Sequence, residues 1–216
     1  MVIKMGTEER REREKAARQE AIMASAKELF FARGFTATTM EEIAQKAELS
    51  KGALYLYFSS KEDLYVTVLH EGLKILFDRI EEVFQLDLPP DQLIRRFGEV
   101  RYRYYLDYRE YYRIFFFRQH RDVDVARQLL PHKLVQENLE KGMRNFQRFI
   151  GIVQQGIDQG TFAAVDPRKA AVAFWGAING VLLFFEEELS KEIIGIDVEE
   201  LIYYTIDLFI NALKKR

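Results

Sequence analysis

The chain has 216 residues, 48% of them hydrophobic and 31% charged, which allows one large domain or a small domain followed by a medium one. It contains no cysteine, so disulfides and thiolate metal sites are excluded, and the composition fits a reducing, cytoplasmic setting. Net charge is −2, divided as +2 over residues 1–61 and −4 over the remainder; the total neither favours nor excludes nucleic acid, but the division suits a DNA-facing N-terminal part.

Four prolines and twelve glycines are few for a chain that would need many tight turns, so an all-α fold is expected. The N-terminus is charged where a secretion signal would need an apolar stretch. Residues 7–19 are dense in Glu, Arg and Lys and predict a solvated extension of the first helix. From Glu20 onward Ile22, Ala26, Leu29, Phe30 and Arg33 fall on one helical stripe, and Gly34 ends that helix. Thr39 is an N-cap, with Glu42 placed to complete a capping box. The short helix it starts has Ile43, Ala44 and Ala47 on its inner face. Glu48-Leu49 forms the turn, Ser50 caps a third helix over residues 51–58, and Ser60 caps a fourth with Glu62 and Asp63 in its first turn. Two short helices joined by a tight turn, with a helix on either side, make a helix-turn-helix plan.

A recognition helix must be held by apolar residues on one face and exposed on the other. Leu54 and Phe58 are four apart and serve as the anchor. Gly52, Ala53 and Tyr55 point elsewhere, and the small side chains let the helix start approach a groove. Tyr57 and Lys61 flank the helix within reach of phosphates, and Thr39 and Ser50 sit at helix N-termini that suit phosphate oxygens. The same spacing also accommodates Tyr55 and Tyr57 as ordinary packed aromatics.

The stretch GFTATTMEEIAQKAELSKGALYLYFSSKEDL, Gly34 to Leu64, resembles the DNA-binding domain of the TetR family of bacterial transcriptional regulators. The matching positions are Gly34-Phe35, Thr38-Thr39, Ile43-Ala44, Ala47, Ser50-Lys51-Gly52, Leu54-Tyr55, Phe58 and Lys61-Glu62 with Leu64. The resemblance implies a homodimer on a palindromic operator of double-stranded DNA, with Lys51, Gly52, Ala53 and Tyr55 facing the groove. It implies Thr39, Ser50, Tyr57 and Lys61 as backbone contacts. One departure is Glu48, where the family's turn often has glycine; a left-handed conformation there would cost on the order of 1 kcal/mol.

The fourth helix continues through Leu64, Val68, Leu73, Leu76, Ile80 and Phe84 to a connector ending at Pro89-Pro90. Helical patterns follow over 91–118, 122–159, 166–189 and 197–214, with Pro131 placed to divide the second, giving about nine helices in all. Domains are expected at 1–61, for DNA, and 62–216, for ligand binding and dimerisation. Tyr104, Tyr108, Tyr111 and Phe115 share one helical face. Two readings fit them: a packed aromatic core, or a pocket lined by Tyr104, Tyr108 and Phe115, with Phe146, Phe149, Trp175 and Asn179 facing it from later helices. Asn179 stands out as the polar side chain of an otherwise apolar run from Ala170 to Phe185. That run is about sixteen residues, short of a membrane span of ~20, so it predicts a buried helix. Ala173, Gly176, Ala177 and Gly180 make a small-residue strip on it, and the last helix carries Leu201, Ile202, Ile206, Phe209 and Leu213. The resemblance implies that these two helices pair with their copies across a two-fold axis; Ala173, Gly176, Ala177, Gly180, Leu201, Ile202, Phe209 and Leu213 are the interface candidates.

No nucleophile motif or phosphate loop appears, so neither an enzyme nor a cofactor is expected. His120-Arg121-Asp122-Val123-Asp124 with His132 offers metal-ligand types but fits a solvated loop better. The function expected is a ligand-responsive regulator, a repressor released by a small apolar or aromatic effector. The alternatives are a regulator that activates or answers to a protein partner, and a helical binding protein with no DNA role.

Overall fold

The computed structural model describes residues 2–118, 123–186, 193 and 195–215. Among them are ten α-helices and no strand: α1 (Val2–Arg33), α2 (Met40–Lys46), α3 (Lys51–Tyr55), α4 (Lys61–Phe84), α5 (Pro90–Asp107), α6 (Arg109–Tyr112), α7 (Val123–Leu129), α8 (Lys133–Asp158), α9 (Pro167–Phe184) and α10 (Val198–Leu213). A π-helical turn, Arg113–Arg118, follows α6. The tenth helix arises because the 91–118 pattern is broken at Tyr108, whose φ of −133° and ψ of 42° leave the helical region. Pro131 lies between α7 and α8, where a missing N–H and a fixed ring end one helix before the next begins.

The local stop and start signals account for most boundaries. Gly34 adopts a φ of 79° after α1, and its N–H bonds the Phe30 carbonyl at 2.8 Å. Thr39 and Glu42 form a reciprocal capping box on α2, and the Ser50 hydroxyl accepts from the Ala53 N–H at 3.1 Å at the start of α3. The Ser60 hydroxyl accepts from the Asp63 N–H at 3.1 Å at the start of α4. Asp166 and Asp197 cap α9 and α10 in the same way.

The chain forms two compact units, and α4 contributes to both. One unit comprises residues up to Glu71 together with Arg113–Gln136. Its core is Ile22, Ala26 and Phe30 of α1, Ile43 and Ala44 of α2, Leu54 and Phe58 around α3, and Leu64, Tyr65 and Val68 of α4. Tyr65 is the hub, edge-on to Phe30 at 4.9 Å and tilted against Phe35 at 5.0 Å. Beyond this core the first half of α1 is exposed throughout residues 8–21, because its sequence has no apolar stripe to bury.

The other unit comprises Gly72–Tyr112 and Glu137–Arg216. Its centre is an aromatic layer: Phe149 of α8 lies 4.6 Å from Phe97 of α5 and stacks on Phe174 of α9 at 5.1 Å, and Phe174 meets Phe209 of α10 at 4.8 Å. Gly98 lets α5 and α10 close together, since a Cβ there would stand 2.6 Å from Cδ1 of Ile206. The loop after α8 is pinned to the end of α10 by a bond from the Ala163 N–H to the Leu213 carbonyl, 2.7 Å. No helix among the described residues is long and apolar enough to cross a membrane.

Candidate functional site

The third helix shows why a short apolar run can be both core and surface. Leu54 and Phe58 are buried at its back. Lys51, Gly52, Tyr55 and Leu56 are exposed at its front, and Ala53 and Tyr57 are half-buried between the two. A Cβ added at Gly52 would meet nothing within 4 Å, so the glycine is not required by packing inside the chain and leaves room for an outside surface. Leu56, 84% exposed, is the side chain that sequence reasoning missed. The signal was present: it sits two residues after the inward Leu54 and two before the inward Phe58, the positions a helix turns outward.

The polar groups around α3 are held in defined places. Lys51 pairs with Glu41 of α2 and stands 6.0 Å from the centre of the Tyr55 ring. The pair raises the Lys51 pKa and lowers that of Glu41, chiefly through their hydrogen bond. Both groups are solvent-exposed, so the pair is weakly held. The hydroxyls of Thr39 and Ser50 are engaged in their caps. Lys61 is set differently from a free surface lysine: its ammonium donates to the carbonyls of Phe35 and Thr38, both at 3.0 Å, and lies 4.2 Å from the Phe35 ring centre. Two of its three donors thus tie α4 to the α1–α2 connector. The Glu48 φ of 55° shows that the turn does take the left-handed conformation, against the preference of a residue with a Cβ.

In the C-terminal unit the seven pocket candidates separate. The Tyr104 hydroxyl donates to the Gly72 carbonyl at 2.9 Å, and its ring stacks with Tyr108 at 5.5 Å. Phe149 is locked in the aromatic layer, Phe146 is half-buried on the same helix, and Phe115 falls in the other compact unit, edge-on to Phe116. The expected face of Tyr104, Tyr108, Tyr111 and Phe115 is therefore not one face. The break at Tyr108 and the wider π turn shift the helical phase, and Tyr112 is the ring that becomes fully buried instead of Tyr111.

Asn179 and Trp175 lead to a polar cluster. The Asn179 Oδ1 accepts from Tyr112 and, at 3.0 Å, from Arg101, while its amide nitrogen donates to the Trp175 carbonyl at 2.8 Å. The Arg101 guanidinium, 4% exposed, lies 5.8 Å from the Trp175 ring centre. Burial pushes its pKa down, and burial pushes the Tyr112 phenol up to about 12. Nearby, Glu186 accepts from Tyr105 at 2.6 Å and from Arg109 at 2.9 Å. Sequence reasoning missed Arg101; its signal was a cation at i+4 from Phe97 and i−3 from Tyr104, on the inward stripe of α5. A separate surface hollow of about 550 Å³ lies along α8, lined by Glu140, Met143, Arg144, Gln147 and Arg148, and includes none of the seven.

The interface candidates also divide. Ala173, Gly176, Ala177 and Gly180 lie on α9 away from the buried stripe of Ala171, Phe174, Ile178 and Leu182, and Leu201 and Phe209 are half-buried on α10. Ile202 and Leu213 are buried within this one chain, so neither can supply surface to a second copy; the expectation for them is corrected. A wide apolar band on a helix turns its centre inward and its flank outward, and the flank of α10 is Tyr204 and Leu208. Val172, Leu183 and Phe184 are exposed on α9. The His120-Arg121-Asp122 stretch lies outside the described residues.

These features agree with what the chain is similar to. Residues 22–68 match the sequence profile of bacterial regulatory proteins of the tetR family. The HTH-type transcriptional regulator YfiR of Bacillus subtilis (strain 168), itself uncharacterised, is 28% identical over 190 residues, 81% of this chain and 84% of that protein. The TetR family transcriptional regulator PfmR of Thermus thermophilus superposes with a TM-score of 0.70 at 25% identity, over 90% of this chain and 99% of that one. AibR, solved with isovaleryl coenzyme A and operator DNA, shares the fold at a TM-score of 0.67 and 19% identity, over 88% of this chain and 97% of that one. With the recognition-helix pattern, the caps and the helical C-terminal unit all in place, the chain belongs to the TetR family of helix-turn-helix transcriptional regulators.

Proposed function

We propose that the protein is a homodimeric repressor that leaves a palindromic operator when a small, largely apolar effector binds its C-terminal unit. The observation that carries the DNA half is the division of α3: Leu54 and Phe58 hold it from behind, and Lys51, Gly52, Tyr55 and Leu56 present an exposed outer face. That face combines a cation for phosphate with apolar and aromatic groups for base edges and thymine methyls. Two such helices one DNA turn apart, ~34–36 Å, would read two half-sites.

The dimer is supported by exposed apolar and small residues on α9 and α10, made of Val172, Gly176, Leu183, Tyr204 and Leu208. An apolar patch of that kind on a folded chain marks a surface that another protein covers. The effector is supported by the density of aromatic rings around a polar cluster in the C-terminal unit, and by AibR, a protein of this fold that was solved with an acyl-CoA and its operator. Effector binding acts by favouring a conformer whose recognition helices have the wrong spacing.

The test is selection of tight binders from a randomised DNA duplex pool, with binding measured at several salt concentrations. The expected product is a two-fold symmetric sequence bound by two chains, with affinity falling steeply as salt rises. Selection that yields asymmetric or unrelated sequences would remove the operator-binding reading.

A further inference from the structure

Leu56 is the most exposed large apolar side chain among the described residues, at the end of a short helix whose other leucine, Leu54, is fully buried. Helical phase puts it there. Leu54 and Phe58 hold α3 from one side, and a residue two positions from each of them stands on the opposite side. The backbone at Leu56 is still helical, with a φ of −73° and a ψ of −18°, so the phase holds to the end of α3. Gly52 lies one turn earlier on the same outer line. A helical side chain leans towards the N-terminus, over the turn before its own. Leu56 therefore leans over Gly52, where even an added Cβ would meet nothing within 4 Å. Tyr55, exposed, and Ala53, half-buried, border that line.

The same face lacks most of the groups that read bases by hydrogen bonds. In the major groove guanine is read by Arg or Lys, adenine by Asn or Gln, cytosine by Asp or Glu, and thymine through its C5-methyl group. Residues 51–57 run Lys-Gly-Ala-Leu-Tyr-Leu-Tyr, with no Arg, Asn, Gln, Asp or Glu among them. Lys51 is the one cation of this stretch, and it pairs with Glu41 of α2. Leu56 has no donor or acceptor to offer a phosphate or a base edge. The thymine methyl is the apolar group that a base pair shows in this groove, so it is the feature a leucine can select.

We infer that Leu56 is a specificity-determining residue of the recognition helix, and that each half-site carries a thymine whose C5-methyl packs on Leu56, with the Ala53 methyl and the Tyr55 ring beside it. The inference rests on the operator-binding reading above and names the base chemistry of that same site. Packing of methyl on leucine takes apolar surface out of water on both partners and leaves no polar group unmet. Another base at that position sets a polar edge against Leu56: the N4 amino group of cytosine, or the N7 and the N6 or O6 of a purine.

The test compares thymine with deoxyuridine, which differs from it by the methyl group alone. A two-fold symmetric duplex selected by the full-length protein is resynthesised with deoxyuridine at one symmetric pair of thymine positions at a time. Binding is followed by fluorescence polarisation at several salt concentrations. One buried methyl carries about a fourfold preference, so a symmetric pair is expected to weaken binding on the order of tenfold at the position that Leu56 reads. In the Leu56→Ala protein that ratio between the thymine and deoxyuridine duplexes should fall to about twofold, as the cycle of the two changes requires for groups in contact. Its Tm and the salt dependence of its binding should stay as in the parent, because the side chain is exposed and meets no phosphate. A leucine with a merely structural role would lower affinity for both duplexes by the same factor. The inference is overturned by a selected half-site without thymine, by deoxyuridine that binds as well as thymine at every position, or by a deoxyuridine effect that persists in full in Leu56→Ala. Each of those results leaves a symmetric operator and the operator-binding reading standing. Failure to select any symmetric duplex removes that reading, and the inference with it.

Discussion

The two compact units solve different problems and leave different traces in the sequence. In the N-terminal unit, helices of seven and five residues are too short to be stable alone, and each is fixed at its N-terminus by a side chain that caps it. In the C-terminal unit the helices are long, and what fixes them is the layer in which Phe97, Phe149 and Phe174 meet. Capping is local in sequence and chemically specific. Layer packing is nonlocal and accepts any apolar residue of suitable size. The exposed side chains follow the same division: the outer face of α3 is built from residues within one short segment, while the polar cluster of the C-terminal unit draws Arg101 and Asn179 from two helices.

The sharpest way to break this contrast is through the aromatic layer. Phe149→Ala should lower stability by about 3–5 kcal/mol, because the ring fills the space between α5 and α9 and its removal leaves a cavity. Leu56→Ala, at an equally apolar residue that is 84% exposed, should leave chemical denaturation within about 0.5 kcal/mol of the parent while altering DNA affinity. Equal losses for both in a urea titration would erase the distinction between packed and presented apolar residues.

Next in size is the α9–α10 strip. Leu208→Glu places a charge at a position 58% exposed in the single chain, where the proposed partner would bury it. Burying that carboxylate without a counter-charge costs several kcal/mol, so sedimentation should show a folded monomer at concentrations where the parent is a dimer. Ile202→Ala, on the same helix but fully buried, should instead lower the stability of the fold by about 2–5 kcal/mol. A Leu208→Glu protein that still sediments as a dimer would place the interface elsewhere.

Tyr55→Ala comes third. Loss of one aromatic contact at the DNA face should weaken operator binding by roughly 1–3 kcal/mol, about ten- to a hundredfold, with dimer and Tm unchanged. Unchanged affinity in a polarisation assay would return Tyr55 to the status of an ordinary surface aromatic.

The same division explains how far the sequence could be read. Gly34, Thr39, Ser50 and Ser60 state their roles locally, and each is found where its chemistry puts it. The inward positions Leu54 and Phe58 follow from spacing alone. Further on, spacing failed at two kinds of place. One was the break at Tyr108, which no proline or glycine announces and which moved the buried ring from Tyr111 to Tyr112. The other was α10, where a band of apolar residues does not reveal which edge faces the chain's own core; Ile202 and Leu213 went inward and Tyr204 and Leu208 outward. Arg101 was hidden for a related reason. A polar residue on an inward stripe reads as an exception until its neighbours from other helices are known.

The smallest effect tests the local rule itself. Glu48 holds a φ of 55° in the turn between α2 and α3, a conformation that brings a Cβ too close to the following carbonyl. The Glu48 N–H bonds the Gln45 carbonyl at 3.1 Å and the Leu49 N–H bonds the Ala44 carbonyl at 2.9 Å, so the turn is set by its backbone and the side chain is exposed. Glu48→Gly removes the steric cost but adds freedom to the unfolded chain. The first term, about 1–2 kcal/mol, exceeds the second, about 0.4–1 kcal/mol, so a net gain of up to about 1 kcal/mol is expected. It should appear in urea unfolding and in slower hydrogen exchange of the α2 and α3 amides, while the exchange of α8 and α9 stays as in the parent. A loss of stability would mean that Glu48 makes a contact that outweighs its conformation, and that even in the N-terminal unit the local chemistry is not sufficient.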